Sequence, residues 1–304
     1  MSSTKRDVEI VNFLGIGAPK AGTTWLWKQL NSHPQIWLPP RKEIHYFDRS
    51  TKYPTSSHLA SDSVLTRAFG VQKNNREYRR LFLKELIGKL SKRKLAEAKW
   101  TINYFSGPFD DEWYRSLFSI GQGKVCGEIS PGYSLLDDHD VKRVNALLPN
   151  AKIIYILRDP VERAWSQVRY EWTRGRRQNS SNVEELIRRC REHKVIARGR
   201  YSEIIARWSG CYTRNQVFVG FFDEMITDPA SFLEKVLNFL EVKDGKERYQ
   251  WPKEARRVIN ASKPQTMPAA LRKALCADYQ AELESLAQQY GDYPKGWLAR
   301  CRIA

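Results

Sequence analysis

Short apolar runs bounded by turn residues recur along the chain. Each lies beside a stretch whose apolar positions repeat at helical spacing. The runs Glu9–Ile16, Lys124–Glu128, Lys152–Leu157 and Gln216–Phe222 predict at least four buried strands. Helical periodicity predicts helices over Thr24–Ser32, Asp138–Leu148, Pro160–Thr173 and Pro229–Leu240. Strands that are apolar throughout and alternate with helices imply a parallel sheet covered on both faces. Parallel neighbours need crossover connections, so the expected fold class is α/β, in three layers around a central parallel sheet.

Residues 49–121 break this alternation. They are polar and helical in pattern, densely charged over Arg76–Arg93, and carry no clear strand signal. The expectation is a helical insertion over the carboxyl edge of the sheet, a lid or substrate wall, within one domain spanning residues 1–304. A second charged helical stretch, Asn179–Arg200, holds Arg188, Arg189, Arg191, Lys194, Arg198 and Arg200. It reads either as a solvated helix face or as a surface that steers anions. Pro268–Tyr290 predicts one long amphipathic helix packed back on the domain.

Composition narrows the picture. A hydrophobic content of 41% with 12% aromatic residues argues against disorder. The net charge of +17 points to anionic partners: a phosphorylated cofactor, an acidic substrate, nucleic acid or a membrane surface. The five cysteines, Cys126, Cys190, Cys211, Cys276 and Cys301, form no CxxC pair. That spacing speaks against a zinc site and a disulfide scaffold, and predicts free thiols. No signal-peptide core opens the chain, and no apolar run approaches the length of a membrane span, so either a soluble cytoplasmic protein or the catalytic domain of a longer one is expected.

The chemistry concentrates at the first strand-to-helix turn, Gly17-Ala18-Pro19-Lys20-Ala21-Gly22-Thr23-Thr24. Glycines and proline permit a tight turn, and the helix that opens at the threonines offers free N–H groups and a favourable dipole to an anion. Lys20 adds a full charge. A nucleotide-triphosphate P-loop would place its lysine after the second glycine, followed by a magnesium-binding hydroxyl. Here Lys20 precedes Gly22 and Ala21 follows it.

A second candidate is Arg158, at the carboxyl end of the Lys152–Leu157 strand. Asp159 suits the N-cap of the next helix, Pro160 its first position, and Glu162 a capping box. Ser166 follows two turns along the same face. A guanidinium and a hydroxyl so presented can hold a terminal phosphate.

These segments resemble those of sulfotransferases that use 3′-phosphoadenosine-5′-phosphosulfate (PAPS). The spelling PKAGTTWL resembles their 5′-phosphosulfate loop, which implies cofactor contacts from Pro19, Lys20, Ala21, Gly22, Thr23, Thr24 and Trp25. Residues 152–169 resemble their 3′-phosphate motif, implying that Arg158 and Ser166 hold that phosphate. Arg41-Lys42-Glu43-Ile44-His45-Tyr46-Phe47-Asp48 resembles the loop after the first helix in heparan-type glycan sulfotransferases and their bacterial relatives. The register makes Glu43 the catalytic base. His45 is the competing base, as in the small-molecule branch, and is otherwise expected to position substrate or orient Glu43.

Similarity continues through GEISPGY at Gly127–Tyr133, YSEIIARW from Tyr201, and FDEMITDP up to Pro229. The NASKP segment occupies the place of a third cofactor loop, with Ser262 and Lys263 as weaker candidates. Two departures stand out: Ile129 replaces a lysine common in glycan enzymes, and the last loop lacks the usual glycine-rich basic signature. The resemblance implies a P-loop-like fold and transfer of the sulfuryl group of PAPS to an acceptor hydroxyl or amine. It implies 3′,5′-bisphosphate product, no metal requirement, an acceptor that is a carbohydrate or other small metabolite, and no nucleic-acid partner. The alternatives are a P-loop-type kinase and a basic nucleic-acid-binding protein. The misplaced lysine weighs against the first, and the absence of zinc-finger or RNP patterns against the second.

Overall fold

The computed structural model describes residues 10–54, 63–175, 178, 180–242 and 265–303. Five strands, β1 (Phe13–Gly17), β2 (Ile36–Trp37), β3 (Val125–Ile129), β4 (Lys152–Leu157) and β5 (Val217–Phe221), form one sheet in the order β2-β3-β1-β4-β5. Every pairing is parallel. β1, β3 and β4 are almost wholly buried, as their continuous apolar sequences require.

The helices, in chain order, begin with α1 (Thr23–Ser32), α2 (Val64–Phe69), α3 (Lys73–Leu90), α4 (Leu95–Ser106) and α5 (Asp111–Ser116). Next come α6 (Asp138–Leu147), α7 (Pro160–Thr173), α8 (Val183–Cys190), α9 (His193–Ile196) and α10 (Tyr201–Ser209). Last are α11 (Phe222–Thr227), α12 (Pro229–Phe239), α13 (Ala269–Asp278), α14 (Gln280–Tyr290) and α15 (Asp292–Arg302). Layered on the parallel sheet, they make the α/β P-loop-like architecture expected from the sequence.

After β1 the chain crosses to β2 and β3 on one side, then returns to β4 and β5 on the other. This reversal of strand order opens a crevice at the carboxyl end of β1, where ligands of open α/β sheets bind. The loops that leave β1, β3 and β4 all converge there.

Between β2 and β3 the described residues hold α2–α5 and no strand. The aromatic side chains of these helices join the loop that follows β2. Tyr46 stacks on Tyr114 at 4.6 Å, and Phe47 meets Tyr114 and Tyr133 edge-on. No described helix is long and apolar enough to cross a membrane.

β2 is a fifth strand beyond the four named from sequence, and its two residues carry no run long enough to announce it. Two expectations need correction. The long helix expected over Pro268–Tyr290 is broken into α13 and α14 at Tyr279, whose side chain is buried and whose hydroxyl donates to the Ile196 carbonyl. Cys276 and Cys301 are joined in a disulfide between α13 and α15, with Cα atoms 5.3 Å apart, and so are not free thiols. The return of the C-terminal helices brings them together across 25 residues, a distance that no local pattern signals. Cys126, Cys190 and Cys211 are free.

Candidate active site

The β1–α1 loop is built on glycine where it must be. Gly22 takes φ 81° as the N-cap of α1. A Cβ there would lie 2.1 Å from the Met225 methyl and 3.2 Å from the Phe222 ring of α11. Lys20 adopts φ 71° without being glycine, a conformation that costs about 1–3 kcal/mol and persists only where surroundings enforce it. The enforcing contact is a 2.9 Å hydrogen bond from the Arg158 guanidinium to the Lys20 carbonyl.

The Lys20 ammonium lies 3.8 Å from the centre of the Tyr170 ring on α7. Burial, then the charges of Arg158, Arg169, Arg174 and Lys42, lower its pKa to about 8. Among the described residues, no backbone carbonyl accepts from the amides of Gly22, Thr23 or Thr24. Free amides at a helix start, beside Lys20 and three arginines, are a donor set suited to phosphate oxygens. Thr23 is buried and Thr24 half-buried; Pro19 flanks the loop. Ala21 is fully buried, its amide bonded to the Ala18 carbonyl. The Trp25 indole packs near Phe232 and its amide donates to the Gly22 carbonyl.

The second loop is more strained. Glu43 has φ 67° and His45 φ 57°, flanking Ile44, which is fully buried. Backbone clamps on both sides of Ile44 hold this shape. Its N–H donates to Ser130 Oγ at 3.1 Å and to Glu128 Oε2 at 3.4 Å, and its carbonyl accepts from the Tyr104 hydroxyl at 3.1 Å. The Tyr46 N–H donates to the Tyr133 hydroxyl at 3.0 Å. Glu128 in turn accepts from Tyr114 at 2.7 Å and Tyr133 at 2.9 Å. Burial raises the Glu128 pKa, although hydrogen bonds from Ser130, Tyr114 and Tyr133 oppose the shift. The GEISPGY element thus acts as a brace for the loop, while Ile129 points into the core.

Within the braced loop, Asp48, His45 and Glu43 form a chain. His45 Nδ1 is 3.1 Å from both Asp48 oxygens, and its Nε2 is 3.4 Å from Glu43 Oε2. Lys42 Nζ lies 2.6 Å from the other Glu43 oxygen. Burial opposes the charged imidazole, but the Asp48 carboxylate outweighs it, with Glu43 adding to the effect, and lifts the His45 pKa to about 10. Burial would raise Glu43, yet the His45 hydrogen bond and the Lys42 charge bring it down to about 2. At neutral pH, therefore, His45 is an imidazolium with no free lone pair and Glu43 is a carboxylate. The Glu43 side chain keeps 39% exposure and can be reached by a ligand.

A family profile described as "Sulfotransferase family" matches residues 13–247. This chain belongs to the sulfotransferase family. Bifunctional heparan sulfate N-deacetylase/N-sulfotransferase 1 of Xenopus laevis is 30% identical over 157 residues, covering 46% of this chain and 17% of that protein. Heparan sulfate glucosamine 3-O-sulfotransferase 3A1 of Mus musculus is 28% identical over 139 residues, covering 43% of this chain and 35% of the relative. The chain thus spans only a minor part of the curated relatives it matches. A crystal structure of a sulfotransferase from Alicyclobacillus acidocaldarius shares the fold with a TM-score of 0.61, at 23% identity over 94% of this chain and 98% of that one.

In this member of the sulfotransferase family, the predicted residues are not all gathered at one point. Lys20 and Arg158 touch through the Lys20 carbonyl. Lys42, beside Glu43, is near enough to depress the Lys20 pKa, which links the two loops. Asp159 caps α7 as expected, accepting from Val161 and Glu162 amides at 3.0 and 3.4 Å. The Glu162 side chain instead takes a 2.6 Å bond from Arg272 of α13. Ser166 is buried on α7. Ser262 and Lys263 lie outside the described residues.

Several contributors were not singled out from sequence: Asp48, Lys42, Tyr170, Arg169 and Arg174. Most of the Asn179–Arg200 cations do pair on the surface, Arg188 and Arg189 with Glu185, Arg191 with Asp278, and Lys194 with Glu171. Arg198 is the exception. It is buried, its Nε meets no acceptor, and the charges of Glu43 and Asp48 act on it.

Proposed function

We propose that this chain transfers the sulfuryl group of PAPS to an acceptor hydroxyl or amine, with Glu43 as general base and Lys20 as the charge at the departing oxygen. One arrangement carries the reading: Lys20, Glu43 and His45, three of the six described non-glycine residues with positive φ, occupy two coupled loops beside the carboxyl ends of β1 and β3. Backbone strain of this kind collects where function demands it.

PAPS would bring an activated sulfuryl group on its 5′-phosphate. The amides of Gly22, Thr23 and Thr24 with Lys20 would hold that phosphate, and Arg158 with Ser166 the 3′-phosphate. Sulfuryl transfer resembles phosphoryl transfer, a loose in-line displacement in which positioning and charge stabilisation dominate. Lys20 meets the negative charge that develops at the bridging oxygen. Glu43 takes the acceptor proton, because His45 already carries one. His45, steadied by Asp48, positions Glu43. An anionic ligand that draws Lys42 away from Glu43 removes one of the two cations holding the carboxylate down, and so raises its basicity. Relatives named for heparan sulfate N- and 3-O-sulfation support a sugar amine or hydroxyl as acceptor.

Two measurements test this reading. Calorimetric titration with adenosine 3′,5′-bisphosphate in EDTA is expected to give tight binding, since Lys20 and the α1 start supply the positive field. Binding of ATP alone, or only with magnesium, would point to a kinase. Arg158→Ala is expected to weaken PAPS by about 10–150-fold more than it weakens adenosine 5′-phosphosulfate, the cost of one charge-assisted contact beyond the loss of support for the Lys20 carbonyl that both ligands share. Equal loss for both ligands would make Arg158 a structural support of the Lys20 carbonyl only.

A further inference from the structure

Among the described residues, eight of the eleven exposed large apolar side chains lie between Leu65 and Ile102, with Phe69 and Val71 exposed by 78% and 79%. Eight lysines and arginines are exposed in the same span, and no exposed residue there is acidic. The acids it contains are drawn inward. Glu77 is half-buried, Glu85 bonds Arg41, and Glu97 bonds Lys89 and Lys94.

On α3, Lys73, Arg76, Arg80, Leu83, Ile87 and Leu90 follow at steps of three and four, so they share one face. That face is cationic in its first half and apolar in its second, and runs for about 27 Å. The turn into α4 adds Lys92, Arg93, Lys94 and Leu95, all exposed.

The pattern selects its occupant. A second copy of the chain would set cations against cations. Nucleic acid would be served by the cations and would leave the leucines and isoleucines wet. Interleaved apolar and basic side chains, free of exposed acids, suit a surface that is anionic outside and apolar beneath.

We propose that this face of α3, with the exposed turn into α4, docks on anionic bilayers, its leucines and isoleucines at the headgroup–acyl boundary and its lysines and arginines among lipid phosphates. The docked helix lies one ion pair from the active-site loop, since Glu85 of α3 holds Arg41, two residues before Glu43. An acceptor presented at a membrane would meet that loop directly.

Flotation with phosphatidylglycerol-doped phosphatidylcholine vesicles, against pure phosphatidylcholine, tests the assignment. Three fourfold variants are compared after circular dichroism confirms that each folds. The native chain is expected to float with anionic vesicles only. Replacing Leu83, Ile87, Leu90 and Leu95 by serine keeps every charge and is expected to weaken partition by roughly tenfold or more. Replacing Lys84, Lys92, Arg93 and Lys94 by glutamate is expected to cost roughly a hundredfold or more, at about fivefold per cation. The same charge change on other faces, at Lys28, Lys142, Arg214 and Arg302, is expected to cost far less. Flotation of the serine set equal to the native chain overturns the proposal, as does equal loss in the two glutamate sets. A native dimer that the serine set converts to monomer would assign the face to self-association instead.

Discussion

Glu43→Gln is expected to lower turnover by about 10²–10⁴ while PAPS affinity stays within about threefold. Glutamine preserves the shape of the side chain and its one carbonyl oxygen can still accept from Lys42 or His45, but its amide nitrogen donates only, and it cannot accept the acceptor's proton. His45→Ala is expected to cost less, because an imidazole whose pKa is raised to about 10 already holds its proton and acts by orienting Glu43. Single-turnover rates with saturating PAPS and a responsive acceptor check both. A nearly active Glu43→Gln enzyme beside an inactive His45→Ala enzyme would move the base to His45.

Lys20→Ala is expected to lose binding and chemistry together, about 10–150-fold in PAPS affinity and a further 10²–10³-fold in turnover. Its ammonium would face the bound phosphosulfate in the ground state and the departing oxygen later. The pH dependence follows from its lowered pKa. A lysine is charged below its pKa, so the charge is present at neutral pH and is lost as pH rises through about 8. The profile of kcat/KM for PAPS, which reports the free enzyme, is expected to fall on that alkaline side. In Lys20→Arg the fall should disappear, at reduced activity, because a guanidinium stays charged. An unchanged alkaline limb in Lys20→Arg would detach it from Lys20.

Much of the architecture was legible in the sequence where local chemistry and packing agree. KIIYIL followed by Arg158-Asp159-Pro160 states a buried strand, a cap and a helix start in nine residues, and β4 and α7 have the expected bounds. β2 was not legible, because two residues pairing at the sheet edge carry no periodicity. The left-handed backbone of Lys20, Glu43 and His45 was hidden for another reason: nothing in lysine, glutamate or histidine announces positive φ. That conformation is imposed from outside by Arg158, Glu128, Ser130 and Tyr104. Asp48 acquires its place only when the loop folds back on His45. Arg198 belongs to a run of cations that reads equally as a solvated face or an anion-steering surface, and only tertiary burial separates it from its neighbours.

The C-terminal helices have a bearing on the phosphate-facing side of the sheet. Arg300 of α15 lies 3.0 Å from Asp159, the residue after Arg158, and Arg272 of α13 grips Glu162 one turn further. The Cys276–Cys301 bond moors these two helices to each other. By chain entropy alone, closing a ring of that span contributes about 3–4 kcal/mol. The far end of the polypeptide therefore meets the chain just after Arg158, and the crosslink that ties its two helices together acts by narrowing the unfolded ensemble, so a change in thiol chemistry would be felt first as the ease with which the whole C-terminal arm comes loose.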